Sequence, residues 1–240
     1  TLEQLRSTGI VTFFDEGTER LYDITPDQHL KAAYYRNTAI HHFVLDALVE
    51  VALYRAAGAP AGEREAALFR MLEELRELFL FDFYFPRRQD YPAAVQAVLG
   101  ERFPNWREAL AGGEEEVVRV LRQSRLLLAH AVLRSFADAY RVVARALAEA
   151  GTEAVEDRSA FVSGCLKLGR QMRLQGRVFS EESVSKSLYE TAVKLAAHRD
   201  LLEAGADAAA GRAALLAELR EVRRALDAIL EITLNGSGDG

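Results

Sequence analysis

The sequence predicts a mainly α fold, a multi-helix domain that opens on a small N-terminal β-hairpin. Two observations lead there. Only five prolines interrupt 240 residues, and long Ala/Leu/Glu/Arg runs fill most of the chain, which is the composition of helices. Runs rich in β-formers, by contrast, gather in the first thirty residues.

Taken in order, Leu2 to Ser7 read as a short helix closed by Gly9, a residue free to turn left-handed at a helix end. Ile10 to Phe14 and Arg20 to Ile24 flank the turn Asp15-Glu16-Gly17-Thr18, which makes a hairpin. Thr25 is a fitting N-cap and Pro26 suits the first helical position. One amphipathic helix then runs from about 27 to 56, ended by Gly58-Ala59-Pro60. Further helices are expected over 62–78, 114–150 (with a kink), 159–174, 181–203 and 208–230. Residues 1–26 form the short helix and hairpin, 27–232 a helical bundle, and 233–240 a flexible tail. Between the second and third helices, aromatics at 79, 81, 83 and 85 alternate with other residues. That period predicts a third short strand near 79–85 beside the hairpin. An interfacial membrane anchor is the sharper alternative, although it lacks the basic polar face such anchors carry.

Composition excludes several function classes. Thirty basic residues against 36 acidic ones leave a net charge of −6, the wrong sign for a surface that wraps nucleic acid. A single cysteine rules out a disulfide framework and thiolate-rich zinc sites. The longest stretch free of Asp, Glu, Lys and Arg is ten residues, Tyr91 to Gly100, against the roughly 20 that a bilayer span needs. The five histidines form neither Glu-x-x-His nor His-x-x-x-His, so no metal and no cofactor is expected.

Several constellations deserve weighing. On the long helix, Leu30, Tyr34, Asn37, His41, Val44, Leu48 and Val51 make one stripe, which Asn37 and His41 interrupt one turn apart. The expectation is a structural polar pair that fixes helix docking. His41 and Asp46 spell His-x-x-x-x-Asp, but five helical residues turn them about 140° apart, so the match is read as accidental. His42 and Asp46, four apart, are better placed to meet. Cys165 shares a helical face with Phe161, Leu168 and Met172 and reads as a small core residue. Lys167, Arg170, Arg173 and Arg177 put four positive charges within eleven residues of an acidic chain. They form a solvated basic face or the seat of an anionic partner. Ser180, followed by Glu181 and Glu182, reads as an N-cap with first-turn acids.

Five blocks carry a resemblance. Tyr34-Tyr35-Arg36-Asn37-Thr38-Ala39-Ile40-His41, preceded by Ile24-Thr25-Pro26-Asp27-Gln28-His29, resembles the Tyr-Tyr-Arg-Asn-x-x-x-His block in the C-terminal region of the glycerol-3-phosphate and dihydroxyacetone-phosphate acyltransferases. Phe81-Asp82-Phe83-Tyr84-Phe85-Pro86 is similar to that family's aromatic-Pro segment. Arg134-Ser135-Phe136-Ala137-Asp138-Ala139-Tyr140 is similar to its Phe-x-x-x-Tyr helix. Leu174-Gln175-Gly176-Arg177 resembles a turn found there, and Ser183-Val184-Ser185-Lys186 with Lys194-Leu195-Ala196-Ala197 resembles the helix after it.

The resemblance implies acyl transfer from acyl-CoA or acyl carrier protein to the sn-1 hydroxyl of glycerol 3-phosphate, a step of phospholipid synthesis at a membrane surface. It places the His-x-x-x-x-Asp motif in an upstream α/β domain, so no residue here is expected to be catalytic. This chain, which begins at Thr1 with both methionines internal, is then read as the portion that packs on and stabilises that catalytic domain. The parent protein is expected to sit peripherally on the cytoplasmic side of a membrane. Arg36, Arg173 and Arg177 are the candidates for contact with substrate phosphate or with the partner domain, since guanidinium recognises phosphate well. A different class competes: the opening helix and hairpin resemble the wing end of a winged-helix DNA-binding regulator. Residues 1–30 hold two basic and six acidic side chains, and a wing tipped with Asp15 and Glu16 would repel phosphate.

Overall fold

A computed structural model describes residues 2–9, 11–15, 20–28, 31–32, 39–124 and 126–236. They belong to two compact units, Thr1–His42 and Phe43–Gly240. The first begins with α1 (Leu2–Ser7). Gly9, at φ +72°, bends the chain so that its amide donates to the Arg6 carbonyl at 2.9 Å, the left-handed helix end that the absence of a Cβ permits. Strands β1 (Thr12–Phe14) and β2 (Leu21–Asp23) pair antiparallel, with Thr12 opposite Asp23 and Phe13 opposite Tyr22. Arg20 closes the hairpin on Asp15 at 2.5 Å.

The long helix from 27 to 56 is not continuous. A 3-10 turn covers Pro26–Gln28, residues 31–32 and 39 are helical, and a second 3-10 turn covers Ile40–His42 before α2 (Val44–Ala56) begins. β-Branched and aromatic residues crowd this junction, at Ile40, Phe43 and Val44, and they are weak helix formers. Ile40 is buried there while His41 and His42 stay exposed.

The second unit continues with α3 (Arg64–Leu78), α4 (Tyr91–Arg102), α5 (Trp106–Gly112), α6 (Glu114–Gln123), α7 (Ala129–Glu149), α8 (Arg158–Leu174), α9 (Lys186–His198) and α10 (Ala206–Gly236). α7 is the centre: α2, α8, α9 and α10 all pack on it. It is buried nearly all round, from Ala129 to Leu147, as a helix surrounded by others must be. α10 lies along it with Leu215, Leu219, Val222, Leu226 and Ile229 inward, a three-and-four spacing.

Several expectations are corrected here. Residues 79–83 form a turn and bend and 84–85 are irregular, with no third strand: the amides of Asp82 and Phe83 both donate to the Phe79 carbonyl. Phe79 and Phe83, four apart, are buried, while Phe81 and Tyr84 are 41% and 94% exposed. The aromatic alternation therefore hid a helical spacing. The 114–150 helix is two helices, separated because the chain at Leu128 and Ala129 turns to meet the buried carboxylate of Glu50. The 181–203 helix is a 3-10 turn, Glu181–Ser183, followed by α9. It stops early because Asp200 takes φ 55° and lets Leu201 donate back to the Ala196 carbonyl at 2.8 Å. Ser180 stands at the N-terminal position of that 3-10 turn without a side-chain bond to its amides; its hydroxyl meets the Ser183 hydroxyl at 3.2 Å instead. Helices α4 and α5 were not anticipated, although Pro92 in the first turn and the buried series Tyr91, Val95, Leu99 mark one of them. α10 extends through Gly236, so 233–236 are helical, and 237–240 lie outside the described residues.

Candidate functional site

Helix α7 is central and yet carries buried polar side chains on one stretch: Arg134, Ser135 and Asp138. Such groups require partners, and here the partners come from two other segments and from α7 itself. Asp138, wholly buried, accepts from Arg223 on α10 at 2.5 Å, from the Phe179 amide at 2.9 Å and from Arg141 at 3.3 Å. Arg223 also holds Asp227 one turn along at 3.0 Å. Arg134 pairs with the same Asp227, and its guanidinium lies 4.3 Å from the centre of the exposed Phe179 ring. Ser135 donates to Glu182, and Arg141 donates to the Arg177 carbonyl.

On the adjoining side, the Tyr140 hydroxyl donates to Asp82, and the Phe136 and Phe83 rings stand 4.6 Å apart. Burial, more than the pull of Tyr140 and Lys194, pushes the Asp82 carboxyl up to about 6. Residues 134–141 thus gather the aromatic segment at 79–83, the turn at 177–182 and α10. The aromatic segment and the turn at 177–182, roughly a hundred positions apart, both bond to the Arg134–Tyr140 block, on different sides of α7.

A second polar centre holds α7 at its start. Glu50, wholly buried on α2, accepts from the amides of Leu128 at 2.8 Å and Ala129 at 2.7 Å, and Arg102 lies 2.8 Å away. A carboxylate at a helix N-terminus meets unpaired amides and the positive end of the dipole. Burial nevertheless dominates and lifts Glu50 to about 7.

The anticipated residues fare unequally. Arg36 and Asn37 lie outside the described residues, so the Asn37–His41 pair does too. His41 is exposed on the 3-10 turn, its ring 4.0 Å from that of His42. Asp46 binds Arg102 at 3.2 Å. Arg173 is exposed at the end of α8 and stands 3.7 Å from Glu181. Arg177 is exposed, and its carbonyl joins the seam through Arg141. Arg134, Asp138, Arg141 and Arg223 were not singled out individually. Their signal was the spacing Arg134, Asp138, Arg141, a polar stripe of steps four and three in an otherwise apolar helix.

Chemically this arrangement binds charge and holds elements in register. Cys165 is buried and its thiol is pushed up to about 12 by that burial, so it is no thiolate at neutral pH. Among the described residues, no group of three or more His, Cys, Asp or Glu could hold a metal ion. No described helix is long and apolar enough to cross a membrane. An open cleft of about 920 Å³ elsewhere in this unit is lined by four arginines and four glutamates, a lining that neutralises itself.

The profile of a family described as the glycerol-3-phosphate acyltransferase C-terminal region matches residues 1–205. The chain belongs to that family. It is 40% identical over 218 residues to the plsB1 acyltransferases of Mycobacterium bovis and Mycobacterium tuberculosis. That match takes in 87% of this chain and 34% of each relative, so the chain spans about a third of the length of the relatives it matches. No solved structure matches it significantly. All five sequence blocks of this acyltransferase C-terminal region fall within the matched residues, and membership displaces the DNA-binding alternative. A C-terminal region of an acyltransferase also implies a catalytic domain upstream of it.

Proposed function

We propose that residues 1–232 serve as the C-terminal domain of an enzyme that moves an acyl group from acyl-CoA or acyl carrier protein to the sn-1 hydroxyl of glycerol 3-phosphate. The domain packs on an upstream catalytic domain and stabilises it. The whole protein works peripherally at the cytoplasmic face of a membrane, where its acyl product belongs. Arg36, Arg173 and Arg177 are assigned to contact with substrate phosphate or with the catalytic domain, on the chemistry of guanidinium.

One observation carries this reading: the match to the C-terminal region of this acyltransferase family along residues 1–205. The packing of the aromatic segment and of the 177–182 turn on α7 supports a scaffold role, because both engage that helix through part-buried hydrogen bonds. The test is co-expression. The upstream region of the parent protein, produced with this chain, should give acyl-CoA-dependent acylation of glycerol 3-phosphate, and produced without it should lose activity and aggregate. An upstream region fully active and stable by itself would overturn the scaffold role.

A further inference from the structure

Between Asp157 and Glu181 the chain holds no acid and five cations, Arg158, Lys167, Arg170, Arg173 and Arg177, in a sequence whose 36 acids outnumber its 30 basic residues. That run is α8 and the turn after it. Lys167, Arg170 and Leu174 follow a spacing of three and four, so they share one helix face, and all three are exposed. The opposite face is the buried one, with Val162, Cys165, Gly169 and Met172. Lys167 and Arg170 meet no carboxylate among the described residues. Leu174 is 89% exposed at the end of the charged face. Phe179, five residues on and therefore within about 18 Å, is 65% exposed. The turn carrying both is fixed by hydrogen bonds. Gly176, at φ +68°, closes the helix: its amide donates to the Arg173 carbonyl at 2.9 Å, and the Arg177 amide to the Met172 carbonyl at 2.8 Å. Val178 is buried, and the Phe179 amide donates to the buried Asp138 at 2.9 Å. Two large apolar side chains are thus fixed outward beside unpaired cations, the combination found on interfacial helices.

We propose that this end of α8 is a docking surface for an anionic lipid bilayer, with Lys167 and Arg170 over the headgroups and Leu174 and Phe179 inserted among them. The charges are complementary. A chain of net charge −6 is repelled as a whole by an anionic surface, so an acid-free basic face sets the orientation in which it can approach. Each Lys or Arg near such a surface adds attraction that decays within a Debye length, and each apolar tip adds burial. The stems of Lys and Arg lie along the apolar layer while their charges stay in water. An acidic protein would match the charge as well, but a protein interface is packed to interior density around its apolar core. Two protruding tips need only a fluid surface. Neither Arg173, which stands beside Glu181, nor Arg177 is required. This face makes the peripheral membrane attachment proposed above, and so rests on that reading.

The test is flotation of the purified chain with two kinds of vesicle: phosphatidylcholine alone, and phosphatidylcholine with an equal part of phosphatidylglycerol, whose headgroup carries no phosphate monoester. Binding is expected to the anionic vesicles, falling as chloride rises, and only weakly to the neutral ones. Lys167→Gln and Arg170→Gln should each weaken it by about fivefold. Leu174→Ala and Phe179→Ala should each weaken it by about tenfold. Should Phe179→Ala disturb the turn, Leu174→Ala, at the more exposed position, decides the matter. Emission of Leu174→Trp, set against the buried Trp106, should shift to the blue on anionic vesicles and be quenched by acyl-brominated lipid. Adsorption by charge alone produces neither effect and would overturn the insertion. No flotation of the unsubstituted chain overturns this face, and so does flotation unchanged in all four variants. Saturable binding to polyglutamate with none to anionic vesicles assigns the run to an acidic protein and overturns it equally. In each case sedimentation of the full-length parent protein with membranes still decides the attachment by itself, and the co-expression result stands.

Discussion

Glu50 caps α7 from a different helix, and burial makes the ionisation of its carboxyl costly. Its folded value of about 7 lies above the ordinary 4.5. The folded state therefore keeps a proton that the unfolded chain has released, and stability falls as pH rises through that window. The drop amounts to about 3 kcal/mol between pH 4.5 and 7, and the curve is flat above. Asp82, raised to about 6, adds a loss of the same sign at lower pH. Thermal melts of Glu50→Gln from pH 4.5 to 8 should show a shallower slope than the parent; parallel curves would count against a neutral buried Glu50. Another residue-scale constraint is steric. A Cβ on Gly169 would stand 2.1 Å from the Tyr189 hydroxyl, which itself has no hydrogen-bond partner. Gly169→Ala should destabilise by about 1–3 kcal/mol. In a Tyr189→Phe background that penalty should shrink, and a double-mutant cycle in urea showing no coupling would refute the clash.

At the scale of elements, the loops are held by single side chains placed far away in sequence. Arg212 on α10 is wholly buried without an acid, and it donates to the carbonyls of Leu201, Gly151 and Glu203 at 2.7, 2.7 and 2.8 Å. It therefore ties the ends of α7 and α9 to α10. Arg212→Leu leaves those carbonyls unpaired and should cost about 3 kcal/mol or more; a denaturation midpoint within error of the parent's would contradict this. Such ties explain which elements were legible. The hairpin and Gly9 helix end were read correctly because their signals are local: alternation, turn residues and a left-handed glycine. The break between α6 and α7 was not, because its cause, Glu50, lies 78 positions away. The aromatic segment at 79–85 misled for the same reason. Alternation suggested a strand, but the anchors are Phe136 and Tyr140 on α7, which capture Phe83 and Asp82.

At the scale of the whole molecule, the described helices of the second unit gather round α7 and its polar seam. The purified chain should show no acyl-CoA-dependent acylation of glycerol 3-phosphate. Turnover that disappears in His41→Ala would reverse that conclusion and restore the His41/Asp46 motif. The net charge of −6 likewise predicts no tight DNA complex in a gel-shift at low salt.

By itself the sequence determined the class of fold and the family. Helix-rich composition and local turn chemistry act within a few residues, and the five blocks are strings that can be read without coordinates. Only the tertiary structure decided which of those strings belong together. Arg134, Asp138 and Arg141 look like ordinary surface charges until α10 and the 177–182 turn close over them. Burial converts each charge into a demand for a partner, and that demand depends on neighbours a linear pattern does not display.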